Sequence, residues 1–177
     1  IFAETRDIEI RKQLENEIKQ QLVVEGMLIK YSNQFINVER TEIQHSIDTA
    51  LAEFGKILNA EAVLVYRMHG KLQDEFRSTN QWFSDIGPTF KDAFSLVVKI
   101  NQELLLFLRS LRGDKSSHGN FHDTQMLYKI QVLNNAEILG KKFYLVPLQS
   151  GNIVNGFVVF VFDANVSDSQ SSFFGLI

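Results

Sequence analysis

The side chains most like a metal site are His118 and His122, four residues apart, with Asp123 beside the second. On a helix such a pair would present two imidazoles to one zinc ion. Gly119 and Asn120 stand between them, however, and Lys115 to Thr124 has the composition of a loop. A solvated loop or a pocket rim is therefore the reading, and no metal is expected. Ser116 and Ser117 add hydroxyls beside the imidazole and the carboxylate. A hydrolytic triad also needs a rigidly held nucleophile and oxyanion donors, and no Gly-x-Ser-x-Gly elbow occurs in the chain. Asp74 and Glu75 are adjacent carboxylates near a turn, whereas a glycosidase needs two that converge and are tuned apart. Gly151 and Gly156 fall in a hairpin and its strand, so they form no phosphate cradle. With no cysteine there can be no disulfide, thiolate zinc site or cysteine nucleophile. No catalytic residue is assigned, and this stretch of chain is expected not to be an enzyme by itself.

What remains is aromatic. Fifteen phenylalanines are many for 177 residues. Phe76, Trp82, Phe83, Phe90, Phe94, Phe107, Phe121 and Tyr128 fall in or beside the irregular middle of the chain. Pockets for small organic ligands combine such walls with a few polar groups. The candidate ligand-binding set is Phe76, Ser78, Asn80, Trp82, Phe94, Phe107, His118, Phe121, His122 and Tyr128, with Arg77 as a further polar neighbour. The competing reading is core, where each buried Phe contributes roughly 1.5–3 kcal/mol.

The elements that must position these residues are legible in the pattern. Asp7 to about Tyr31 is charged and free of proline, and Ile10, Leu14, Ile18, Leu22 and Ile29 recur at steps of four and seven. That spacing predicts a long helix with a narrow apolar stripe. The stripe either lies on its own domain or pairs with a second copy as a parallel two-stranded coil. Thr41 and Gln44 read as a capping box before Ile43, Ile47, Leu51, Phe54 and Leu58, with Asn59 as the stop. Ala62 to Met68 and Asp74 to Gln81 alternate as strands around the turn His69-Gly70-Lys71. Phe94 to Ile100 reads as a strand, Gln102 to Arg112 as a helix capped by Asn101, and Gln125 to Leu133 as a short helix. Lys142 to Leu148 and Val154 to Asp163 form a hairpin about Ser150-Gly151-Asn152, and the second strand is apolar on both faces. Such a strand belongs to a sheet covered on both sides. Ser167 to Ile177 reads as the opening of a final helix. The order of elements is that of an α+β fold around an antiparallel sheet.

Composition agrees with a globular chain of about one domain: 45% of residues are apolar and 22% charged. A net charge of −3 and a pI near 5.8 make a poor electrostatic footprint for nucleic acid or an anionic membrane. The longest apolar runs, Leu104 to Leu108 and Phe157 to Phe162, fall far short of a membrane span. A cytoplasmic setting is expected. The chain begins at Ile1 without methionine and reads as an excised piece of a longer protein.

Several of these segments resemble a known family. "YSNQFINVERTEIQHSIDTALAEFGKILNAEAVLVYRM" resembles the opening of a GAF domain, "RSTNQWF" its second strand, and "KKFYLVPLQSGNIVNGFVVFVFD" its late hairpin. "ETRDIEIRKQLENEI" resembles the exit of a PAS domain into its linker helix, with Glu9 where that family commonly has threonine. The resemblance implies a profilin-like sheet of about six strands with core order 2-1-5-4-3, helices on both faces, and a pocket under the variable middle. It implies a linker helix over residues 1–30 and a sensory domain over 31–177, within a bacterial signalling protein carrying a histidine kinase or a diguanylate cyclase/phosphodiesterase. Covalent bilin attachment and GAF-type sulfoxide reduction need cysteine, and the cyclic-nucleotide pattern of the family is not recognisable. Two readings stay open. One is a sensor holding a small molecule non-covalently between the sheet and the Phe83–Thr124 segment. The other is a ligand-free relay and dimerisation module working through Ile10, Leu14, Ile18, Leu22 and Ile29, with a homodimer as the expected assembly.

Overall fold

The computed structural model describes residues 2–37, 39, 41–70, 74–85, 91–111, 132–133, 140–151 and 153–165. Helix α1 spans Phe2–Asn37, its 36 residues making a rod about 54 Å long. It runs unbroken through the expected boundary at residue 30. Only its C-terminal part has a described anchor: Met27 and Tyr31 are buried against Ala50 and Phe54 of α2 (Ile43–Ile57). Lys30 Nζ adds a 2.7 Å ion pair to Glu53.

The capping box does not form. Glu42 is the N-cap of α2 and makes no side-chain cap bond. A turn closing from Glu42 N–H to the Glu39 carbonyl shifts the cap one residue past Thr41, so the hydroxyl is out of register with Gln44. The C-terminal stop is as expected: Asn59 has φ +53°, a conformation asparagine tolerates better than most residues.

Among the described residues five strands follow: β1 (Ala62–His69), β2 (Glu75–Phe83), β3 (Val97–Lys99), β4 (Lys142–Ser150) and β5 (Ile153–Phe162). They form one antiparallel sheet in the order β3-β2-β1-β5-β4. The series 2-1-5-4 is the expected one, while the short β3 joins beside β2 through pairing of Val97–Lys99 with Glu75–Arg77. The strand predicted over 94–100 is trimmed to three residues because Phe94 turns instead to an isolated bridge with Leu133. Leu133, at the end of the helix predicted from Gln125, is thus in a β-bridge and Val132 in a bend; residues 125–131 lie outside the described part. Helix α3 (Gln102–Ser110) is capped as expected, the Asn101 Oδ1 accepting from Leu104 N at 2.7 Å.

The sheet is covered on both faces, which the two-faced β5 required. Phe157, Val159 and Val161 join the core beneath α3, and Val158, Phe160 and Phe162 join the core beneath α2. No described helix is long and apolar enough to cross a membrane.

Candidate functional site

Period-two alternation would send Phe76, Ser78, Asn80 and Trp82 to one face of β2. It does not, because the pairing of β1 with β2 slips between Val65 and Tyr66. Ser78 stands opposite Tyr66 while Asn80 stands opposite Val65, leaving Thr79 as the extra residue of a β-bulge. Phe76 and Ser78 therefore face the α3 side with Tyr66 and Met68. Asn80 and Trp82 face the α2 side with Val65 and Val63. The candidate set is divided between two sites.

On the α3 side the described residues make a close aromatic assembly. Tyr66 stacks on Phe157 with centroids 4.8 Å apart, and Phe76 meets Phe157 edge-on at 5.3 Å. Phe94 meets Phe143 at 6.5 Å, also edge-on. Tyr66, Phe76, Phe143 and Phe157 are fully buried, Phe94 nearly so, and Phe107 of α3 packs half-buried against them. Of the candidates, Phe76, Phe94 and Phe107 are brought together in this cluster. The polar point among these rings is the Tyr66 hydroxyl, which donates to the Ser95 carbonyl at 2.8 Å. Burial pushes this phenol far above its usual range, so it stays neutral and acts as a fixed donor. Ser78 is half-buried, its Oγ accepting from Gln81 Nε2 at 2.8 Å. His118, Phe121, His122 and Tyr128 lie outside the described residues, as do Ser116, Ser117 and Asp123.

On the α2 side, Asn80 is buried and donates from Nδ2 to Asp48 Oδ1 at 2.7 Å, tying β2 to α2. Trp82 lies across Gly55, where a methyl group would overlap Cζ3 and Cε3 and come within 2.8 Å of Cη2. An open cleft of about 370 Å³ includes Asn80, with Ile47, Val65 and Leu148 as its apolar lining and Arg67, Gln149 and Asn155 as the rest of its polar lining. Sequence reasoning placed Asn80 in a site but not Ile47, Arg67, Leu148 or Asn155. Strand pairing brings Arg67, Leu148 and Asn155 together, and the packing of α2 on the sheet adds Ile47.

At the sheet edge Glu75 is nearly buried and holds two cations, Arg77 Nε at 2.6 Å and Lys99 Nζ at 2.9 Å. The hydrogen bond from Lys99, then that from Arg77, keeps its carboxyl below the usual carboxylate range. This is a structural clamp joining β2 to β3. Among the described residues no group of three or more metal-ligating side chains converges. Taken together, these residues offer a packed aromatic cluster, fixed donors and an open cleft of mixed polarity.

No protein-family model matches the sequence, and no curated protein matches it. Solved structures do. The GAF domain from an Acinetobacter phosphoenolpyruvate-protein phosphotransferase superposes with a TM-score of 0.55 at 11% identity, covering 85% of each chain. The GAF domain from a phosphoenolpyruvate-protein phosphotransferase of Coxiella burnetii gives 0.57 at 11% identity, covering 88% of each. The phycocyanobilin-bound GAF domain from a cyanobacterial phytochrome gives 0.53 at 14% identity, covering 85% of this chain and 87% of that one. The likeness is one of fold: the chain has the GAF fold.

Proposed function

We propose that this GAF-fold chain is a sensory and regulatory module of a bacterial signal-transduction protein, which passes its state through α1 to an output domain such as a histidine kinase or a diguanylate cyclase/phosphodiesterase. The observation that carries the reading is the two-faced character of α1. At about 100° per residue, Met27 and Tyr31 lie on the side opposite Ile18, Leu22 and Ile29, with Leu14 and then Ile10 drifting toward the flank of that stripe. The first pair roots the helix on α2, while the second set is 47–65% exposed. A helix fixed to a domain on one side and apolar on the other is suited to carry a change in that domain to a partner helix.

Two forms of the module differ in what sets its state. In the sensing form a small organic molecule binds non-covalently between the sheet and the 83–124 segment; one GAF neighbour holds phycocyanobilin, and this chain has no cysteine for a covalent link. In the relay form that face is filled and α1 does the work. The close packing of Tyr66, Phe76 and Phe157, and of Phe94 on Phe143, favours the relay form.

Light scattering over a concentration series tests the shared claim. The whole chain should dimerise, and Ile18→Glu should give a folded monomer with unchanged far-UV circular dichroism, since Ile18 is exposed within one copy. A monomer at high concentration would overturn the role of α1. Thermal shift separates the forms. A ligand at 100 times its Kd adds about 2.7 kcal/mol, or roughly 5–10 °C for a domain of this size. A shift of that size with a small organic molecule supports sensing, and a flat response across a broad metabolite set supports relay.

A further inference from the structure

The open cleft on the α2 side is framed by two irregularities of the sheet. Thr79 is the extra residue of β2 that sends Asn80 to this side. Asn155 is the extra residue of β5: Leu148 stands opposite Gly156 and Gln149 opposite Val154, so Asn155 has no partner in β4 and lines the cleft. Between the two, Arg67, Gly156 and Leu148 lie side by side across β1, β5 and β4. The glycine puts no side chain in this row, which leaves a gap between the arginine and the leucine. Bulges recur where a sheet re-aims side chains beside a site. The volume of about 370 Å³ is in the range that holds small organic ligands.

Charge gives this gap its preference. Arg67 is exposed and, among the described residues, has no ion-pair partner. Its direct cross-strand neighbour is Arg77, and like charges so placed are unfavourable. Arg77 is matched by Glu75, which also holds Lys99, so that carboxylate is already engaged twice and Arg67 is left unmatched. Asp48 takes the hydrogen bond from Asn80, and among the described residues no carboxylate lines the cleft. The apolar lining is aliphatic rather than aromatic. We propose that this cleft binds a small aliphatic anion. Its carboxylate or phosphate head lies on the Arg67 guanidinium, with the Asn155 amide as a second donor, and its hydrocarbon body lies over Ile47, Val65 and Leu148. The site is on the face of the sheet opposite the one where the sensing form would hold its ligand. Ile47 stands one turn before Ala50, on which Met27 and Tyr31 pack, so a ligand against Ile47 touches the helix that roots α1. Binding stands without the reading of α1; only an effect on signalling rests on it.

Equilibrium dialysis of the whole chain against octanoate, octyl phosphate and octanol reads the two halves of the site separately. At least one of the anions should bind about tenfold or more tighter than octanol, and the tighter of the two identifies the head group. Arg67→Gln should weaken that anion about tenfold and leave octanol unchanged, while Arg67→Lys should lose less because it keeps the charge but not the fork. Asn155→Phe fills the cleft from an exposed position and should abolish binding of all three probes. It also separates the cleft from the exposed apolar stripe of α1, which this substitution does not touch. Three results would each overturn the site: no binding of either anion, equal affinity for octanol and the anions, or an anion affinity that neither Arg67→Gln nor Asn155→Phe changes. All three are read in monomer and dimer alike, so failure of the α1 dimer leaves this test intact.

Discussion

Placing alanine at Gly55 sets two effects of opposite sign against each other, and the structure decides which wins. Gly55 lies inside α2, where Ala is favoured over Gly by about 1 kcal/mol. An added Cβ, however, would overlap the six-membered ring of Trp82. A rigid indole held on a strand cannot fold aside as a Lys or Met would. The cost therefore falls toward the upper end of the roughly 1–3 kcal/mol typical of overpacking. Gly55→Ala should destabilise the protein by about 1–2 kcal/mol net, lowering the melting temperature by roughly 2–8 °C. Trp82→Val removes the ring while keeping a strand-favouring side chain, and is itself destabilising through the cavity it leaves. In that background Gly55→Ala should turn stabilising by about 0.5–1 kcal/mol, as bare helix propensity demands. The four proteins form a double-mutant cycle with a coupling of about 1.5–3 kcal/mol, read from urea denaturation followed by far-UV circular dichroism. If Gly55→Ala raises the urea midpoint with Trp82 in place, the packing of β2 on α2 through this contact is refuted.

Three further outcomes follow from the same packing. Gly156→Ala should cost about 3 kcal/mol or more and leave little soluble protein, since its Cβ would collide with the Tyr66 backbone carbonyl across the β1–β5 pair. Expression yield and denaturant midpoint check it, and a near-neutral outcome would show that the strands are not this close. Tyr66→Phe should cost about 1–2 kcal/mol by leaving the Ser95 carbonyl without its donor. Because burial raises the folded-state pKa of this phenol, its contribution is complete below the ordinary tyrosine pKa and is lost as pH rises above it; the alkaline fall in melting temperature should be shallower in the Phe variant. Glu75 behaves in the opposite sense. Its folded-state pKa is lowered by Lys99 and Arg77, so its contribution is present above the ordinary glutamate pKa and is lost as pH falls through the folded value. The acid limb of a stability–pH curve should flatten in Glu75→Gln.

The parts of this fold that rest on neighbouring residues were legible in the chain order. The Asn101 cap, the left-handed stop at Asn59, the two hairpins and the helix carrying Ile10 to Ile29 all depend on groups a few positions apart. Strand β5 showed more, because Val158, Phe160 and Phe162 alternating with Phe157, Val159 and Val161 demands cover on two sides wherever the covers come from. The capping box at Thr41 misled because the turn from Glu39 to Glu42, made by a single backbone hydrogen bond, moved the cap by one residue.

The division of the candidate site belonged to the tertiary structure alone. Phe76, Ser78, Asn80 and Trp82 alternate along the chain as one face, yet they part at Thr79 because β1 supplies one residue fewer than β2 between Val65 and Tyr66. A bulge is a property of two strands in register, and neither strand encodes it by itself. The same holds for Gly55 beneath Trp82 and for Gly156 against Tyr66: each glycine is required by a neighbour that only the folded chain brings near. Local periodicity determined the elements and their apolar faces, because those depend on backbone geometry within a few residues. Which face each side chain joined was decided by pairing between distant strands, because a one-residue slip there inverts every position beyond it.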